Sequence, residues 1–412
     1  MVRYHWAERF AFLDIITMNV LFLLYRYPGV GGIENMTTLL AKLFNTQLGY
    51  CTSIFSLVGQ EGIEVDSALQ DLQIDVKIAH CSDNQQIATV FLTFLEENVP
   101  DVIIFQDSYA QIEYLLNIVK NISTFKETKI LTVEHNTPDC LIKGYIDHWK
   151  KHKLNTIGGL LRKIAFPYFY KKTLKENRIR HQKLVELSDK YILLSDSYKK
   201  ILKNLFRIES DKVVAIANIK NDFSNSGVYS NYEVKKKQFL FVGRLNAQKG
   251  VDKLIDVWSI LEKRIPDYEL LVIGDGEQRS LLENLIIKNN LKRIRLEGFQ
   301  TNMATYYKEA TGILMTSIFE GLPLVLAEAM QYGVIPFAFD SFTSLHDVVE
   351  DKKNGFIIPP FSTSDYVTSV CDFVHLDQDK VKLLRLNAIK DSEKFSKERI
   401  LSDWENLFNS LR

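Results

Sequence analysis

Short apolar runs alternate along this chain with amphipathic stretches, and the alternation stops once and then starts again. Runs at 20–25, 51–57, 74–78, 102–105, 129–133 and 191–194 read as strands. The stretches at 32–46, 84–97, 109–120, 158–187 and 196–206 read as helices. An apolar run with no polar alternation suits a strand covered on both faces, so the pattern predicts a doubly wound parallel sheet. Residues 218–237 are rich in Asn, Ser and Lys and read as a linker. The pattern then resumes with strands at 238–242, 269–273, 293–296, 312–315 and 334–338. Helices are expected at 250–264, 277–289, 302–308, 322–331, 343–349 and 364–375. The expected architecture is α/β, with Rossmann-like domains at 18–217 and 238–394 and a ligand at the carboxyl ends of the sheets.

A length of 412 residues suits two domains, and 46% apolar with 25% charged residues fits a globular chain. Cys51, Cys81, Cys140 and Cys371 are scattered without a CxxC pair, which argues against a zinc site or a disulfide framework and fits a reducing cytosol. No apolar run approaches the roughly 20 residues that span a bilayer. Residues 1–17 include Arg3, Glu8, Arg9 and Asp14, so they make a poor signal peptide and read as an extension outside the fold. Formal net charge is zero, yet residues 143–183 carry twelve Lys or Arg against two acids, Asp147 and Glu176. Trp149, Phe166, Tyr168, Phe169 and Tyr170 are interleaved with them. Two readings stay open for this segment: a peripheral contact with an anionic membrane, or a solvated helical face. Nucleic acid is the poorer reading and none is expected as a partner, since overall charge is neutral and no binding motif accompanies the patch.

The run Ser317-Ile318-Phe319-Glu320-Gly321-Leu322-Pro323-Leu324-Val325-Leu326-Ala327-Glu328 follows the apolar strand at 312–315. Gly321 and Pro323 mark a helix start, with Glu320 just before it and Glu328 two turns along, on the ridge of Leu324. Free N–H groups at a helix start attract an anion. Two acids beside an anion site suit a ligand with both phosphate and hydroxyls, such as a sugar nucleotide. Earlier, the strand at 238–242 ends at Gly243, and Arg244 and Lys249 follow five residues apart. A guanidinium and an ammonium there would neutralise a diphosphate, the plainer alternative being surface salt bridges. Leu271-Val272-Ile273-Gly274-Asp275-Gly276 is a strand-to-helix turn, and Asp275 has no second acid suitably placed for a metal. Gly31 and Gly32 join the first strand to its helix, as a backbone approach to phosphate or as a tight turn. His135 ends the strand at 129–133, either as a hydroxyl partner or as a structural residue.

These segments, in this order and spacing, resemble the retaining nucleotide-sugar glycosyltransferases of family 4, which have the GT-B fold. The match runs from about residue 18 and is strongest over 241–360, through VGRL…KG, VIGDG, Glu297-Gly298-Phe299, the E-x7-E segment and Asn354-Gly355-Phe356. The resemblance implies that Arg244 and Lys249 grip the donor diphosphate and that Glu320 contacts the transferred sugar. Gly243, Gly321, Leu322, Pro323 and Leu324 would present backbone to the donor, Glu328 would bind the ribose, and Phe299 backbone would touch the base. Gly31 and Gly32 would approach the phosphate and His135 the reacting sugar. Residues 395–412 would form a final helix crossing back to the first domain. The co-substrate implied is a UDP- or GDP-sugar with no metal or other cofactor. The implied acceptor is a glycan or glycolipid hydroxyl in bacterial surface polysaccharide synthesis, at the inner face of the cytoplasmic membrane. Ala217-Asn218-Ile219-Lys220 departs from the family's usual proline or glycine beside Asn, and the basic insert enlarges the acceptor side. A nucleotide-sugar epimerase of the same fold and an inactive sugar-nucleotide-binding subunit are the alternatives.

Overall fold

A computed structural model of the chain describes residues 18–29, 31–81, 83–106, 110–150, 157–222 and 235–411. The expected extension at 1–17, residues 151–156 of the basic segment and residues 223–234 of the expected linker lie outside them. The first half runs β1 (Asn19–Arg26), α1 (Gly32–Leu48), β2 (Cys51–Val58), α2 (Ser67–Asp71), β3 (Asp75–Ile78), α3 (Asn84–Glu97) and β4 (Val102–Phe105). It continues with α4 (Ala110–Asn121), β5 (Lys129–Glu134), α5 (Cys140–Lys150), α6 (Ile157–Leu187), β6 (Lys190–Leu193), α7 (Tyr198–Ile201) and β7 (Val213–Ala215). The second half runs β8 (Gln238–Val242), α8 (Val251–Arg264), β9 (Glu269–Ile273), α9 (Arg279–Lys288), β10 (Ile294–Gly298), α10 (Met303–Glu309), β11 (Gly312–Met315) and α11 (Leu324–Met330). Then come β12 (Ile335–Phe339), α12 (Leu345–Val348), β13 (Phe356–Ile358), α13 (Thr363–Val374), α14 (Gln378–Ser392) and α15 (Lys397–Leu411).

Two sheets result, ordered β3-β2-β1-β4-β5-β6-β7 and β10-β9-β8-β11-β12-β13. Their paired strands are parallel, Phe22 for instance lying between Ile54 and Ile104. Leu21, Phe22, Leu23 and Leu24 are all fully buried, which is why β1 reads as an unbroken apolar run. The expected α/β architecture of two Rossmann-like sheets is the one observed. Packing divides the chain into two units, residues 1–133 with 187–189 and residues 134–186 with 190–412.

In the second unit, α8 buries Val251, Leu254, Ile255, Trp258 and Leu261, a stripe at helical spacing. Asp252 in its first turn and Lys263 and Arg264 in its last suit the helix dipole. Across the sheet, Phe337 stacks on Phe356 at 4.8 Å and meets Phe373 edge-on at 5.4 Å. The final helix α15 buries Ile400, Leu401, Trp404, Leu407 and Phe408 along one side.

Three details depart from expectation. Residues 196–206 form the short α7 followed by a π-helical turn at Leu202–Phe206. The elements α2, β7, α5, β13 and α14 carry no expectation from sequence. The helix expected at 322–331 begins only at Leu324, because Pro323 sits at φ −79°, ψ 66° and Leu324 N–H donates back to Leu322 O at 2.8 Å. Glu328 therefore lies about one turn into α11 rather than two.

Candidate functional site

In the second sheet the strand order reverses between β8 and β11, and such a switch point, outside the carboxyl ends of the strands, is where open parallel sheets bind ligands. The loop after β8 is built on backbone contacts that leave no room for side chains. Gly243 N–H donates to Ile273 O at 3.0 Å and Leu245 N–H to Asp275 O at 2.9 Å. A Cβ on Gly274 would run into the Gly243 carbonyl, so the two glycine turns stack main chain on main chain. Asp275 itself pairs with Arg279 at 3.1 Å.

Further along, Asn246 Oδ1 accepts from Lys249 N–H at 3.2 Å. Gly250 then turns the chain into α8 at φ 65°, where a Cβ would strike the Thr316 carbonyl. Ile318 N–H donates to Gln248 O at 2.7 Å and Thr316 Oγ1 to Lys249 O at 3.0 Å. These bonds stitch the loop after β8 to the loop after β11 and bring two predicted residues together. Lys249 Nζ lies 2.7 Å from Glu320 Oε1, both side chains largely shielded at 18% and 9% exposure. Gln248 Nε2 supports the same turn by donating to Phe319 O at 3.0 Å.

Gly321 is held from two sides. A Cβ there would run into the backbone carbonyl of His135, so His135 and the Glu320–Gly321 turn touch through main chain. From the other side the buried Tyr198 hydroxyl reaches the carbonyls of Glu320, at 2.8 Å, and Gly321, and Ser344 Oγ at 2.8 Å. Burial pulls the His135 imidazole down to about 4, so it is neutral at pH 7. The preceding residue, Glu134, is buried with Arg180 paired to it and Tyr191 OH donating to it at 3.0 Å. That network anchors the strand end from which His135 emerges.

Glu328 is also buried, and desolvation raises its carboxyl above the ordinary value. Its Oε1 accepts from Asn221 Nδ2 at 2.6 Å and its Oε2 from Tyr307 OH at 3.4 Å. Arg244 is exposed, Phe299 is 71% exposed, and Leu322 and Leu324 are partly buried beside Gly321 and Pro323. Because α11 has only seven residues and Leu324 N–H is already engaged, the positive charge near Glu320 comes chiefly from Lys249. Gly31 and Gly32 belong to the first unit. There the Glu34 carboxylate folds under Gly31 and pairs with Arg26 at 3.2 Å, while the space over Gly32 is open.

Sequence reasoning did not single out Tyr198, Ser344, Gln248, Glu134 or Asn221. Each acts on a segment far along the chain, and nothing in its own neighbourhood signals the contact. Chemically, the assembled loops offer one ammonium for an anion and two carboxylates for hydroxyl donors. Among the described residues no group of three or more His, Cys, Asp or Glu is placed to hold a metal ion. No helix among them is long and apolar enough to cross a membrane.

Residues 229–391 match the glycosyl transferases group 1 family. A Haemophilus influenzae protein named an uncharacterized glycosyltransferase is 28% identical over 234 residues, covering 54% of this chain and 62% of its own length. The amylovoran biosynthesis glycosyltransferase AmsD of Erwinia amylovora is 28% identical over 225 residues, covering 54% of this chain and 63% of its own length. The chain thus spans somewhat under two thirds of these relatives. Among solved structures, Anabaena HepE in complex with UDP and glucose superposes with a TM-score of 0.70 at 16% identity, over 95% of this chain and 100% of that one. At that identity the likeness concerns the fold alone.

Proposed function

We propose, for a chain whose residues 229–391 match the glycosyl transferases group 1 family, the transfer of a sugar from a nucleoside diphosphate to an acceptor hydroxyl with retention of anomeric configuration. The observation that carries this reading is the largely shielded pair of Lys249 and the buried Glu320 on stitched loops, with Glu328 on the helix that follows. Lys249, with Arg244, takes the diphosphate. Glu320 accepts from the hydroxyls of the transferred sugar and Glu328 from those of the ribose. Backbone at Gly243, Gly321, Leu322, Pro323 and Leu324 lines the donor, backbone at Phe299 meets the base, and His135 lies beside the sugar as a neutral partner. A UDP donor is supported by the fold-mate crystallised with UDP and glucose. A glycan or glycolipid acceptor is supported by the relative named for amylovoran synthesis.

In the reaction, the bond from the anomeric carbon to the diphosphate oxygen breaks and the diphosphate departs with its electron pair. The acceptor oxygen bonds to the same face of that carbon, and its proton passes to the departing phosphate. Lys249 offsets the charge that develops on the leaving group, a preorganised contribution of the kind that is worth about 10²–10³ in rate per donor. No metal is assigned to the reaction. Work at the inner face of the cytoplasmic membrane, through a peripheral contact of residues 143–183, belongs to the same proposal.

UDP- and GDP-sugars tested in turn identify the donor by thermal shift, since a ligand at 100 times its Kd stabilises the folded state by about 2.7 kcal/mol. Lys249→Ala is expected to lower kcat/KM about 10²–10³-fold. Unchanged transfer in Lys249→Ala or Glu320→Ala would sink the site assignment. Binding of a donor without transfer or hydrolysis, whatever the acceptor, would favour the inactive-subunit alternative, and interconversion of the donor sugar the epimerase.

A further inference from the structure

We infer that Asn221 is a positioning residue that sets the preference of this site for a ribose over a deoxyribose nucleotide, acting through Glu328; the inference rests on the donor reading above. Glu328 sits buried on α11, and a carboxylate so placed turns freely about its last bond unless its oxygens are held. Asn221 holds one of them twice. Its Nδ2 donates to Glu328 Oε1 at 2.6 Å, and its backbone N–H points at the same oxygen at 3.4 Å. Tyr307 OH reaches the other oxygen at 3.4 Å.

Asn221 is itself fixed by the helix it serves. Gln331, three residues beyond Glu328, donates from Nε2 to Asn221 O at 2.9 Å. The same amide accepts on Oε1 from Lys220 Nζ at 3.2 Å. Lys220 N–H donates to Phe395 O at 2.9 Å, and both Ile219 and Lys220 are buried. The segment is therefore laid along α11 as a rigid strip, with an exposed Asn at its end pointing an amide at the carboxylate. Oε1 has accepted twice, so the lone pair still to spare lies on Oε2. What remains is one acceptor of fixed position, which can be aimed at the ribose hydroxyl that a deoxyribose lacks. A freely turning carboxylate would meet whichever hydroxyl is present.

The test measures affinity of the full chain for UDP and 2′-deoxy-UDP by calorimetry, with GDP and 2′-deoxy-GDP as a parallel pair. The unmodified protein is expected to favour the ribonucleotide about tenfold or more. Asn221→Ala is expected to weaken the ribonucleotide about tenfold and to leave the deoxynucleotide unchanged, so that the preference disappears. Equal weakening of both nucleotides, or an unchanged ratio, overturns the inference. If the unmodified protein binds no nucleotide, the donor reading fails and this inference fails with it. Should Asn221→Ala lose its cooperative unfolding transition, Asn221→Ser makes the same comparison with a short polar side chain in place.

Discussion

Gly321 and His135 meet backbone to backbone, and that contact explains why a residue without a side chain follows Glu320. The sequence points to both positions, one as part of a turn and the other as a strand end, but not to their touching. His135 also has a protonation state that its burial decides. Its folded value of about 4 lies below the ordinary 6.5, so the unfolded chain binds a proton as pH falls through 6.5 and the folded chain does not until about 4. The stability tied to this group is complete above 6.5 and drains away as pH drops to 4, by at most about 3 kcal/mol. Urea unfolding of the unmodified protein and His135→Asn across that interval checks this. The variant is expected to show the shallower decline, and parallel curves would refute the assignment. Lys249 and Glu320 were each marked by motif, yet their 2.7 Å pairing across a gap of 71 residues needed the stitched loops to be seen.

Most helices and strands announce themselves through burial on one or both faces, and the exceptions show what that signal lacks. The strands β7 and β13 have three residues each, too few to display any period. The helix α14 is polar around most of its surface and is started by Asp377, whose carboxylate accepts from Lys380 N–H. An apolar stripe would not find such a helix, whereas its cap would. The short α7 shows the reverse situation, a legible segment whose purpose is not. Its first residue, Tyr198, is fully buried, and its hydroxyl serves a turn 122 residues away. Tyr198→Phe keeps the ring and removes that hydroxyl, leaving Ser344 and two carbonyls without their partner. A loss of about 1–3 kcal/mol is expected from chemical denaturation. The variant should also raise KM for the donor more than a remote core change of equal cost, because the affected carbonyls belong to Glu320 and Gly321. Equal effects on KM would make Tyr198 merely structural.

Over the whole chain, charge is balanced but unevenly spread, and the long helix α6 shows where the excess of base resides. Tyr168 and Phe169 are 68% and 42% exposed, with Lys171, Lys172, Lys175 and Arg178 exposed just beyond them. Pro167 lies in the helix interior, and the helix's apolar and basic residues are not sorted onto opposite sides. Insertion of an apolar face therefore explains a membrane contact poorly, and attraction between lysines and anionic headgroups explains it better. Such attraction is screened beyond about 10 Å at 0.1 M salt and is worth about 1 kcal/mol per basic residue near the surface. Flotation with vesicles containing a third phosphatidylglycerol is expected to carry the protein at low salt and to release it near 0.5 M. Replacing Lys171, Lys172 and Lys175 by Glu is expected to weaken partitioning at least about a hundredfold, which follows from about 3 kcal/mol. Donor affinity should be unchanged, since these lysines take no part in the site. Equal flotation of both proteins, or none by either, would mean that the basic helix is simply a solvated face.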